Sequence, residues 1–199
     1  PGPVSGGGFC TAQQLAGRGA EGGLACRDQT KGQAALARIK GGHPQARVRL
    51  FPLDLSDLAQ VRGCARRLND ELDGIDVLIN NAGVVPTRQQ FTRDGFEMQI
   101  GVNYLAPVLL PHLLLPFLHQ RQDARVIHVA AVAHWLGRIN NNNWRGRRPY
   151  PVMDTTGHQH HCLLYNTYAA DETKGVGAVV CGTIQKKTST IKKIEKRRR

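Results

Sequence analysis

From Gly23 to Ala131 the chain repeats one alternation, a short apolar run followed by a stretch whose apolar residues return every three or four positions. Val48-Arg49-Leu50-Phe51-Pro52-Leu53, Asp76-Val77-Leu78-Ile79-Asn80 and Arg125-Val126-Ile127-His128-Val129-Ala130-Ala131 read as strands, with Gly23-Leu24-Ala25-Cys26 as a weaker one. Helices are predicted over Phe9–Arg18, Asp28–Lys40, the stripe Leu58, Val61, Ala65 and Leu68, and Phe96–Leu118. Asp28 is placed to cap the second helix and Gly19 to stop the first. Strands apolar on both faces and separated by helices bury both faces under those helices. The pattern therefore predicts an α/β fold, a doubly wound parallel sheet.

At 199 residues the chain is long enough for one such domain and too short for two. The alternation ends at Ile139, which bounds a domain over 1–139 and leaves 140–199 as a basic tail with +8 of the total net charge of +12. Lys186–Arg199 has few apolar residues and reads as a solvated arm; without interleaved aromatics it gives no reason to expect a nucleic-acid partner. The five cysteines are an odd set with no CxxC spacing, which fits reduced thiols and, by default, the cytoplasm. Val102–Leu118 contains Asn103, His112 and three prolines and is shorter than the roughly 20 residues a bilayer requires, so no transmembrane segment is expected. His158-Gln159-His160-His161-Cys162 matches no closed metal site, and none is assigned.

Gly2, Gly6 and Gly8, with Ser5 between them, have the spacing GxxxGxG ahead of a helix. Such glycines permit a tight turn and let backbone N–H groups approach a pyrophosphate, although a flexible terminus has a similar composition. Further along stand Leu24-Ala25-Cys26-Arg27-Asp28, Leu53-Asp54-Leu55, Asn80-Asn81-Ala82-Gly83, and Thr92-Arg93-Asp94-Gly95-Phe96-Glu97 followed by Val102-Asn103-Tyr104. In this order and spacing, the chain from Gly2 to about Ile139 resembles the short-chain dehydrogenase/reductase family, particularly its retinol dehydrogenase-like branch. The resemblance implies that the glycine turn holds the cofactor's pyrophosphate, Asp54 meets the adenine, and Asn80, Asn81, Ala82 and Gly83 line the ribose. It also implies hydride transfer to or from a small apolar alcohol or carbonyl compound, and leaves homo-oligomerisation open.

The residue at the end of the second family strand sets cofactor choice. Here it is Cys26, not the carboxylate that binds the ribose hydroxyls in NAD-preferring members. Arg27 follows, and its guanidinium suits a 2′-phosphate, so NADP(H) is expected ahead of NAD(H). The catalytic set departs from the family. Asn103 keeps the helical Asn position, but Ala131 stands where the substrate-holding Ser belongs, and no YxxxK occurs. Continuation through Tyr150 puts Thr156 and His160 at the Tyr and Lys positions. The family's chemistry should be strongly impaired, and the alternative is a nucleotide-binding remnant or interaction module without turnover. The family's first strand is also missing from this sequence, as are its C-terminal elements, so an incomplete sheet with an open central slot is expected.

Overall fold

The structure, a computed structural model, describes residues 6–130, 144–146 and 177–180. In chain order the elements are α1 (Gly6–Gly17), β1 (Gly22–Cys26), α2 (Gln29–Gly42), β2 (Val48–Pro52), α3 (Leu58–Glu71), β3 (Val77–Asn80), a π-helical segment (Ile100–Leu105), α4 (Ala106–Leu118), β4 (Arg125–His128) and β5 (Gly177–Val180). Carboxylates cap two of the helices. Asp28 accepts from the Lys31 N–H at 3.0 Å, and Asp57 accepts from Ala59 at 2.9 Å and Gln60 at 3.3 Å, satisfying donors that a helix start leaves without partners. The Asp57 site is partly desolvated, which works to raise its carboxyl. Hydrogen bonds from the Gln60 backbone and Arg93, with the Arg93 charge, outweigh this and hold it below the ordinary aspartate value.

The strands described pair in parallel: β1 with β2, Gly22 opposite Val48 and Cys26 opposite Pro52; β3 with β4, Val77 opposite Arg125 and Asn80 opposite His128; and β4 with β5. The strands form two sheets, β1-β2 and β3-β4-β5. Helices cover both faces. On one side Phe51, Val61, Leu68, Leu110, Leu114 and Val126 form a core between α3, α4 and the strands, against which Ala25 of β1 and Leu78 of β3 also pack. On the other, Phe9, Ala16, Leu24, Ala35, Ile39 and Val48 join α1 and α2 to β1 and β2. The two sheets thus belong to one layer of a doubly wound fold, with no hydrogen-bonded strand joining β1 to β3 among the described residues. The break leaves its mark on β3: its sequence is that of a strand buried on both faces, yet none of its residues is buried and Val77 is 46% exposed.

Three expectations change. Gly6, Gly7 and Gly8 form the first turn of α1, so the helix begins three residues before Phe9. The tail contributes β5, whose sequence signal is no more than Gly177-Ala178-Val179-Val180. A four-residue apolar run far from any helical stripe is easily passed over. Finally, the exclusion of a membrane span does not hold. Ile100–Leu118 is continuous over 19 residues with mean hydropathy 1.5, long and apolar enough to cross a membrane by length and composition, and half of it is buried against the protein's own core. The three prolines do not interrupt it: Pro107 lies in the first turn of α4, and the π-helical segment precedes it. Pro111 supplies no N–H to the carbonyl four residues earlier, which is that of Pro107. Asn80 Nδ2 donates to that oxygen instead, at 3.2 Å. A bond from β3 thus takes the place of the one proline removes, and the helix runs on.

Candidate functional site

In open α/β sheets ligands bind beyond the carboxyl ends of the strands. At those ends stand Cys26-Arg27 after β1, Asp54 after β2, Asn80–Gly83 on β3 and His128 on β4. Gly6 opens α1 with φ at +58°, a left-handed conformation that a side chain would strain. Gly6 is exposed, and a Cβ at the neighbouring Gly7 would meet nothing within 4 Å, so the start of this helix is open to an anion. Gly8 is buried beneath it. Gly2 and Ser5 lie outside the described residues.

Arg27 is exposed, and no carboxylate pairs with it among the described residues. Asp28 is turned away to its capping bond, while the Lys31 backbone N–H, ahead of the Lys31 charge, holds its carboxyl below the ordinary value. Cys26 is buried, and desolvation, then the Asp28 charge, pushes its thiol up. Asp54 is half-buried, with one oxygen taken by Ser56 N at 2.9 Å and Ser56 Oγ at 2.7 Å, which fixes the turn into α3.

Asn103, in the π-helical segment, grips the chain after Gly83 at two points. Its Nδ2 donates to the Val84 carbonyl at 2.8 Å and its Oδ1 accepts from the Val84 N–H at 2.8 Å. A Cβ on Gly83 would lie 3.5 Å from Asn103 Oδ1, so the backbone passes close to the amide there. The clamp does for Val84 what a neighbouring strand would do, and it fixes the exit of Asn80-Asn81-Ala82-Gly83 without a sheet partner. The π-helical turn widens the helix at the residue that makes the clamp, a placement common at functional positions.

Other site features went unread in the sequence. His128 is buried, and desolvation lowers its pKa to about 4. Its Nδ1 lies 3.3 Å from Asn80 Nδ2. The available signal was register: Asn80 and His128 are the polar ends of two adjacent apolar strands. The Thr92–Glu97 motif fastens the segment to α3, since Arg93 Nη1 meets Asp57 Oδ2 at 2.9 Å and Asp94 Oδ2 accepts from Leu58 N at 2.9 Å. Trp144 and Arg145 close over it. The Trp144 carbonyl accepts from Glu97 N at 2.9 Å, its ring meets Tyr104 edge-on at 5.8 Å, and Arg145 lies 4.6 Å over Phe96.

Ala131, Thr156 and His160, the positions aligned with the family's Ser, Tyr and Lys, lie outside the described residues, as does the His158–Cys162 cluster. A cleft of about 460 Å³ between Asn69, Leu72, Asp73, Pro116, Phe117 and Gln120 sits at the far ends of α3 and α4, away from the strand ends that carry the site.

Fold and site together define a doubly wound α/β protein whose motif residues gather at the carboxyl ends of the strands. Comparison with known proteins makes the assignment specific. Residues 2–144 match the short-chain dehydrogenase family. Among curated proteins, retinol dehydrogenase 12 of Mus musculus is 38% identical over 168 residues, covering 84% of this chain and 53% of that one. Retinol dehydrogenase 11 of Homo sapiens is 39% identical over 180 residues, covering 88% and 57%. Among solved structures, an uncharacterised protein from Mycobacterium paratuberculosis superposes with a TM-score of 0.78 at 36% identity, covering 95% of this chain and 69% of its own. A metagenomic short-chain oxidoreductase in complex with NADP superposes at 0.72 with 22% identity, over 92% and 80%, and shares the fold. The chain belongs to the short-chain dehydrogenase/reductase family and is retinol dehydrogenase-like. It spans about half the length of these curated relatives.

Proposed function

We propose that the chain binds NADP(H) at the carboxyl ends of β1, β2 and β3, and that it is a retinol dehydrogenase-like oxidoreductase whose hydride transfer is impaired. The observation that carries the reading is the two-point clamp of Asn103 on Val84. It fixes the exit of the Asn80–Gly83 segment, along which a nucleotide ribose can lie. The relatives named retinol dehydrogenases support an alcohol or carbonyl compound as the substrate class.

The residues present fit the cofactor. The open first turn of α1, led by Gly6 and with Gly8 in it, would face the pyrophosphate, together with the motif residues Gly2 and Ser5 that precede it in the sequence. Arg27 would pair with the 2′-phosphate, where the buried, neutral Cys26 thiol offers no carboxylate to the ribose hydroxyls. Asp54 would meet the adenine with its remaining oxygen, and Asn80, Asn81, Ala82 and Gly83 would line the ribose. When bound, the nicotinamide supplies or accepts the hydride at C4.

The remainder of the chemistry is where this chain falls short. Asn103 retains its place, but an alanine at 131 cannot hold a substrate oxygen, and a hydroxyl such as Thr156 is too weak an acid to deliver a proton as a tuned phenol does. His160 stands where the family places the Lys ammonium that lowers the Tyr pKa, so that ammonium is absent from the position. Loss of general acid–base help alone costs about 10²- to 10⁴-fold in rate. The same losses favour a second reading, a nucleotide-binding module without turnover.

NADPH oxidation with retinal or a simple ketone tests the assignment. The expected result is a rate lower by at least about 10²-fold than that of an intact relative, raised by the combined Ala131→Ser, Thr156→Tyr and His160→Lys changes. An undiminished rate in the unaltered chain contradicts the impairment; NADP⁺ binding with no turnover even in the triple variant favours the module.

A further inference from the structure

The π-helical segment Ile100–Leu105 carries Asn103, and two contacts reach that segment from Trp144. One runs through the backbone. The Trp144 carbonyl accepts from Glu97 N at 2.9 Å, and Glu97 Oε2 in turn accepts at 3.0 Å from Ile100 N, the first residue of the segment. The other runs through the rings, where Trp144 meets Tyr104 edge-on with centroids 5.8 Å apart. The two contacts bracket Asn103, with Ile100 before it and Tyr104 after it. Trp144 is itself pinned through its neighbours: Gln89 Nε2 donates to the Gly146 carbonyl at 2.8 Å, and Arg145 Nη1 donates to the Asp94 carbonyl at 3.2 Å.

A single π-helical turn leading into an α-helix is a local departure from the more favourable α winding. Winding the same residues as α-helix would turn each successive side chain farther around the axis. That change carries Asn103 away from the Val84 N–H and carbonyl, each of which it holds at 2.8 Å. We propose that Trp144 is a positioning residue for the cofactor segment: its ring, set against Tyr104, holds the π-helical turn in the winding that lets Asn103 clamp Val84. The proposal rests on the cofactor assignment only for its effect on NADP(H), since the clamp can be read without a nucleotide. The indole nitrogen takes no part in it. Nε1 is buried and has no hydrogen-bond partner among the described residues, so the ring acts by its shape and its edge, and a phenyl ring can do the same.

Amide exchange at Val84, taken relative to Leu114 in the core, reads the clamp apart from global opening. Trp144→Ala, Trp144→Phe and Arg145→Ala are compared in the 199-residue chain, the last removing the contact over Phe96 while leaving the Trp144 ring in place. The expected result is Val84 exchange faster by about tenfold relative to Leu114 in Trp144→Ala, and within about twofold of the unaltered chain in the other two. Tyr104→Leu, which takes away the partner ring and leaves residue 144 alone, should reproduce the Trp144→Ala result. NADP⁺ affinity, measured by titration calorimetry, should fall by about tenfold in Trp144→Ala and no further when that change is added to Asn103→Ala, because the ring acts through Asn103. Unchanged Val84 exchange in Trp144→Ala or Tyr104→Leu, an equal rise in Arg145→Ala or Trp144→Phe, parallel rises at Val84 and Leu114, or losses of affinity that add in the double variant would overturn the proposal. An unaltered chain that binds no NADP⁺ would count against the cofactor assignment, and Val84 exchange would still decide the role of Trp144.

Discussion

The amide nitrogen of Asn80 has two protons and both are used, one on the Pro107 carbonyl at 3.2 Å and one toward His128 Nδ1 at 3.3 Å. The first contact fixes which end of the amide is nitrogen, since a carbonyl can only accept. The second then requires Nδ1 of His128 to be an acceptor, so the imidazole is neutral with its proton on Nε2. Burial pushes the same way, lowering the His128 pKa from its ordinary 6.5 to about 4. With the folded pKa depressed, this stabilisation is full above pH 6.5 and is lost as pH falls toward 4, roughly 3 kcal/mol in all. Thermal midpoints measured from pH 7 to pH 4 should therefore fall with pH. His128→Asn, which keeps an acceptor and cannot titrate, should flatten that part of the slope. A slope unchanged in the variant would remove His128 from the account.

At the scale of elements, α4 shows how a local rule is overridden by a tertiary contact. An interior proline costs a helix about 3 kcal/mol or more, and the sequence places Pro111 and Pro116 well inside this one. The helix persists, and the orphaned Pro107 carbonyl takes its hydrogen bond from β3. A double-mutant cycle follows from this. Asn80→Ala should destabilise the chain by about 1–3 kcal/mol when Pro111 is present, and by much less with Pro111→Ala, where residue 111 regains an N–H for the same oxygen. Equal costs in the two backgrounds, measured by chemical unfolding, would show that Asn80 does something else. The neighbouring elements divide by how local their signals are. Asp28 and the stripe Leu58, Val61, Ala65 and Leu68 were legible because caps and periodicity are local. The π-helical segment at Asn103, the Arg93–Asp57 pair and β5 were not, because each depends on residues distant in the chain.

At the scale of the whole molecule, the sequence made the doubly wound layout readable, since strands apolar on both faces and separated by helices have few other arrangements. The exposure of β3 needed the structure: none of its residues is buried while β4, in the same sheet, buries Val126 and His128. Of the site, the motif residues were legible and their supports were not. Neither the grip of Asn103 on Val84 nor the fastening of Thr92–Glu97 onto α3 has a sequence pattern of its own.

The central claim is that these supports form a cofactor site with a preference for NADP(H). Thermal unfolding of the 199-residue chain with and without saturating NADP⁺ or NAD⁺ tests it, because a ligand bound only to the folded state must raise the midpoint. The account predicts a cooperative transition moved up by several degrees with NADP⁺, by less with NAD⁺, and equally by the two once Arg27 is replaced by alanine. A transition that neither nucleotide moves, or that NAD⁺ moves as far as NADP⁺ in the unaltered chain, would contradict it.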